Sequence, residues 1–141
     1  MTSPTLGRWA TDYTAEALRR AALIDESFGD FRLHETALTP RETLAHLVEC
    51  SVAYDQISRG EKPDWAPYEG PMEMESLWSE FWNRRPDFPI EGDEAMQLHL
   101  EFVAFHEWYH VGQLCLMRQA FDPEWKSSTI YRNLHVSLRE D

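Results

Sequence analysis

Apolar residues recur along this chain at helical rather than strand spacing. Tyr13, Ala17, Ala21, Ile24 and Phe28 fall three or four apart and predict a first helix from about Thr5 to Phe28, ended by Gly29-Asp30. Thr39-Pro40-Arg41-Glu42 predicts the start of a second: Thr39 caps, Pro40 suits the first helical position, and Glu42 completes a capping box. That helix runs to Ser58 and stops at Gly60. Residues 60–71, with Gly60, Pro63, Pro67, Gly70 and Pro71, read as a loop, although it carries Trp65 and Tyr68. A short third helix covers Met72 to Arg84, with Leu77, Trp78, Phe81 and Trp82 on its apolar side. Pro86, Pro89 and Gly92 then break the chain. The fourth helix is the longest, from an Asp93 cap to Phe121, where Asp122-Pro123 halts it. The tail from Glu124 to Asp141 has weak signals, suited to one further turn or a strap. No segment alternates as a strand does, so the expected fold is all-α: a single domain over residues 1–141, built as a helical bundle with a short C-terminal tail.

Composition narrows the function. Of 141 residues, 43% are hydrophobic and six are Trp, a globular rather than disordered make-up. The formal net charge of -12 argues against a nucleic-acid partner, whose affinity would come from clustered Lys and Arg. Two cysteines, Cys50 and Cys115, do not make a secreted disulfide scaffold. No apolar leader or span of about 20 apolar residues occurs, so no membrane partner is expected and residence is expected to be cytoplasmic.

The candidate chemistry is histidine. His106 and His110 lie one helical turn apart on one face, close enough for two imidazoles to reach one ion at about 2.0–2.1 Å each. The third ligand must come from another helix, and His46 is the candidate. It sits mid-helix within Leu44-Ala45-His46-Leu47-Val48, where a buried imidazole needs partners for both nitrogens. Cys50, one turn on, is a possible fourth ligand that would close the site; otherwise it is a small buried residue. A wheel at 100° per residue places His99, Val103, His106, His110, Leu114 and Met117 on one stripe of the long helix. His99 lies about 10 Å along the axis from His106, too far to share the ion but able to line the same cavity. A second stripe, Leu98, Phe102, Phe105, Tyr109, Gly112 and Leu116, makes the apolar face wide enough for a homodimer contact, and Gly112 suggests a close approach. Glu49 and Glu107 are the candidate catalytic carboxylates, Glu49 equally readable as a surface residue. Gln113 is placed to hydrogen-bond a ligand, and Arg118 is a candidate cationic wall near the ion.

Two motif readings compete. His106-Glu107-Trp108-Tyr109-His110 satisfies the HExxH pattern of zinc peptidases, in which Glu107 would activate water. The sheet edge such peptidases use is not predicted, and a further ligand would have to be Glu124 or His135. The second reading is a likeness. TPRETLAHLVE in the second helix, with HEWYHVGQLCLMRQ in the last, resembles the DinB/YfiT-like metalloenzyme superfamily (the DinB family) from about Thr5 to Phe121. The resemblance implies a four-helix bundle running up-down-down-up, often dimeric, with His46, His106 and His110 as ligands of a divalent metal ion, usually zinc or nickel. It also implies a small-molecule substrate and thiol-dependent transfer or isomerisation with a low-molecular-weight thiol; hydrolysis is the other expected chemistry. The short third helix departs from the family pattern and leaves the pocket shape open. The alternative is a non-catalytic metal- or ligand-binding bundle protein.

Overall fold

The computed structural model describes residues 3–131, and these are helical with no strand among them. α1 (Ser3–Ala22) is followed by a single turn, α2 (Glu26–Gly29). The continuous helix expected to Phe28 is therefore broken after Ala22. The cause is local: the Asp25 carboxylate accepts the Phe28 amide at 3.0 Å and the Ser27 hydroxyl, capping a new turn instead of continuing the old one. Gly29 follows because a Cβ there would meet the Arg41 guanidinium at 2.5 Å. Arg41 in turn bonds Asp30 at 2.9 Å and the Met72 carbonyl at 2.6 Å, tying this corner to the start of the next two helices.

α3 (Pro40–Ser58) begins as its sequence predicts. The Thr39 hydroxyl accepts the Glu42 amide and Glu42 accepts the Thr39 amide, both at 3.1 Å, and Gly60 turns the chain away at φ +76°. α4 (Met74–Asn83) is two residues shorter at its start and one at its end than expected. The last helix consists of α5 (Asp93–His99), a π-helical stretch (Leu100–Phe105) and α6 (His106–Phe121), running on without a break. Gly92 at φ +92° leads into it and Asp93 is its first residue rather than its cap; Asp93 and Glu94 place negative charge in the first turn, where the helix dipole favours it.

Contacts fix the helix directions. Thr11 meets His99 and Arg20 meets Arg118, so α1 and the last helix run parallel. Tyr54 lies against Phe102, and His46 against His106 and His110, so α3 runs antiparallel to the last helix. α4 starts beside Arg41, and Arg85 just beyond its end reaches Glu107, so α4 runs with α3. The core between them contains Leu18, Phe28, Leu44, Leu47, Leu77, Phe81 and Leu114. A 3-10 turn (Ser127–Ile130) straps back over α1: Ile130 is buried and its carbonyl accepts from Arg20. The remainder of the expected tail, including His135, lies outside the described residues. No helix among the described residues is long and apolar enough to cross a membrane.

Candidate metal centre

Three of the six histidines converge. His46 projects from α3; His106 and His110 project from the first turns of α6. Each offers a ring nitrogen, and the three nitrogens lie within 4.8 Å of one another. His106 Nε2 and His110 Nε2 are 3.0 Å apart, and the His46 ring centroid stands 5.4 Å from His106 and 5.0 Å from His110. A tetrahedral ion at about 2.0–2.1 Å from each nitrogen holds its ligand atoms about 3.3 Å apart; the His106–His110 pair is close to that spacing, and the set of three lies within 4.8 Å. Helix spacing supplies one edge of this triangle and the antiparallel register of α3 supplies the third corner.

The surroundings favour the neutral form of His106 and His110. Burial, with the neighbouring His106 and His46, lowers the His110 pKa to about 4, partly opposed by Gln113. His106 is lowered for the same reason, burial first and His46 second. The Gln113 side-chain oxygen sits 2.7 Å from His110 Nδ1, while the Gln113 amide nitrogen donates to the Tyr109 hydroxyl at 2.9 Å. Gln113 therefore accepts the Nδ1–H, which leaves the His110 Nε2 lone pair free to face the other histidines.

The other candidate residues divide. Cys50 is buried with its sulfur 3.5 Å from His46 Nε2, yet it is outside the converging set. Burial, then the charges of Glu49 and Glu107, push its thiol up to about 11. Glu49 accepts the Tyr68 backbone amide at 2.9 Å and so holds the 60–71 loop. Glu107 is 4% exposed and accepts from the Arg85 guanidinium, which also donates to the Thr11 carbonyl at 2.9 Å. Burial pushes the Glu107 carboxyl up and Arg85 pulls it partly back. A carboxylate paired with a buried guanidinium is a poor base for activating water, which weighs against the peptidase reading of the HExxH spacing. Glu124 is exposed and takes no part in the histidine cluster.

Three expectations are corrected. His99 does not share the His106 face: it is fully buried against Thr11, Tyr54 and Phe88. The π stretch is the reason, because one extra residue in a turn offsets the helix by about 100°. Arg118 is not a wall of the site; it donates to the Arg20 carbonyl and lies over the Trp125 ring, 4.3 Å from its centroid. Among the described residues Gly112 makes no close approach, since a Cβ there would meet none of them within 4 Å. Phe105, Tyr109 and Leu116 on the same outer side are about 60% exposed. A groove of about 590 Å³ between α1 and α4 holds no histidine.

Arg85 is the participant that sequence reasoning misses. It carries no local signal, being one charge before a proline, whereas Trp65 is visible as an aromatic in a loop. Neither the known protein families, nor characterised proteins, nor solved structures match this chain. The likeness to the DinB/YfiT-like superfamily thus rests on the two histidine-bearing motifs and the order of the segments between them.

Proposed function

We propose that His46, His106 and His110 bind one divalent metal ion, zinc or nickel, in an up-down-down-up four-helix bundle of the DinB/YfiT-like type. The observation that carries this reading is the convergence of three imidazole nitrogens within 4.8 Å from two different helices. The parallel and antiparallel helix contacts support the bundle, and the Gln113 contact supports the ligand tautomer of His110. His46, His106 and His110 would hold the ion with a position left open, and such an ion would supply acidification of a water or thiol and polarisation of an electrophile.

On this reading the protein is a metal-dependent enzyme acting on a small molecule, by transfer of a low-molecular-weight thiol or by hydrolysis. The chain's own contribution is to favour neutral His106 and His110, to orient His110 through Gln113, and to brace His106 by locking the adjacent Glu107 to Arg85. Cys50 favours one second reading, a closed non-catalytic site in which its sulfur becomes a fourth ligand, because it already stands beside His46.

The test is metal content. Protein purified without chelator and titrated with zinc and nickel is expected to bind about one ion per chain, and H46A/H106A/H110A none. Equal binding by both removes the proposal. Cobalt substitution separates the two forms: a sulfur-to-cobalt charge-transfer band marks the closed site, and its absence the open one.

A further inference from the structure

Beside the histidine centre stand two rings that the metal reading does not use. Phe102 lies one turn before His106 on the last helix, with ring centroids 6.4 Å apart. Trp65 lies against Phe102 at 6.2 Å and an interplanar angle of 34°. Phe102 also lies 6.1 Å from Tyr54, on the same helix as His46. A row of rings thus runs from Trp65 through Phe102 to the imidazoles.

Trp65 is an unusual residue to find in this place. It is 53% exposed, and its backbone is left-handed at φ +52°, a conformation that costs a bulky side chain and that glycine would adopt freely. The loop around it is pinned to α3 on both sides. Gln56 accepts the Asp64 amide at 3.2 Å, Glu49 accepts the Tyr68 amide at 2.9 Å, and Asp64 accepts the Ala66 amide at 3.0 Å. Gln56 and Glu49 are on the helix that carries His46, so the position of the indole is tied to that of the ligand. The chain holds an exposed apolar ring in a strained backbone conformation, and it does so one ring, Phe102, removed from His106.

We propose that Trp65 and Phe102 form an aromatic platform that receives the planar apolar part of a substrate whose donor atom reaches the three-histidine centre. This rests on the metal reading and narrows its substrate class to small molecules with an aromatic or conjugated group near the reacting end. Offset stacking on an indole discriminates a flat ring from an aliphatic group of similar size. Tyr109, 62% exposed and 5.1 Å from His110, flanks the centre from the last helix.

The experiment uses the zinc-loaded full chain, after calorimetry has measured zinc binding itself. Acetohydroxamate, cyclohexanecarbohydroxamate and benzohydroxamate share one metal-binding head and differ in the group attached to it. Benzohydroxamate is expected to bind at least about tenfold more tightly than acetohydroxamate, with the cyclohexyl compound between them. W65A is expected to remove most of that preference while leaving zinc affinity and acetohydroxamate affinity within about twofold. F102L, which keeps an apolar side chain, is expected to reduce the preference as well, so the result does not hang on one variant. Zinc binding with equal affinity for all three probes, or an undiminished preference in W65A, overturns the platform and leaves the metal reading intact. No zinc binding at all overturns both, and the calorimetric titration tells that case apart.

Discussion

Removing Arg85 should cost a large part of this protein's stability, and the amount can be worked out from its partners. Its side chain is 11% exposed and that of Glu107 is 5% exposed, so both charges sit essentially out of water. The guanidinium serves the Glu107 carboxylate, the Thr11 carbonyl and the face of Phe81, whose centroid lies 4.7 Å away. Among the described residues, one Glu107 carboxylate oxygen has no partner. In R85M the other loses its partner too, leaving a buried charge with nothing to offset it. Breaking such a pair from one side costs about 3–5 kcal/mol, whereas replacing both partners with apolar residues of similar size is often near neutral. We expect R85M and E107L each to cost about 3–5 kcal/mol in urea unfolding followed by far-ultraviolet circular dichroism. The double variant should cost well under the sum, with a coupling of at least about 2 kcal/mol. The R85M penalty should also shrink as pH falls from about 8 toward about 4.5, because the stranded carboxyl can then take up a proton. A loss below about 1 kcal/mol in R85M, or additive single effects, would refute the account of Glu107 as a structural residue.

Two further outcomes rest on single residues. His99 is held at about pKa 4 by burial, with the Arg85 charge adding, against 6.5 for a free imidazole. The unfolded chain therefore takes up a proton between pH 6.5 and 4 while the folded one does not, so stability falls as pH is lowered through that window. The loss is roughly 3 kcal/mol at its lower end from His99 alone. H99Q should flatten the pH dependence of the urea midpoint, and an unchanged slope would contradict the assignment. G112A should raise the thermal midpoint, by about 1 kcal/mol of stability, since a Cβ there meets open space and alanine is the better helix former. Destabilisation by G112A would show that another surface seats on that glycine.

The features legible in the sequence are those that local physics decides. The Thr39–Glu42 capping box needs four consecutive residues, and it forms as read. The stop at Asp122-Pro123 needs two. The pairing of His106 with His110 needs only unbroken α-helical spacing, which holds from His106 onward. Choosing His46 as their companion requires a long-range guess, but one constrained by a mid-helix imidazole in an apolar run. The break after Ala22 escapes notice because apolar spacing continues to Phe28, while a single carboxylate, Asp25, is enough to start a new turn. Glu107 and Arg85 are 22 residues apart, and nothing near either one announces the other.

The π stretch is where wheel reasoning fails and where the site gains its shape. Extrapolating α-helical phase backward from His106 puts His99 on the face of the three converging histidines, and the extra residue of the π turn carries it about a third of a turn away, onto Thr11. There the Thr11 hydroxyl gives its one proton to the Gly7 carbonyl, so His99 must donate from Nε2. The same stretch contains Phe102, whose ring meets Tyr54, Trp65 and His106. A regular helix would keep its full set of i to i−4 bonds but would bring His99 back into the His106 stripe. The irregular turn thus separates two histidines that sequence spacing aligns, one buried as a structural donor and the other left among the converging three.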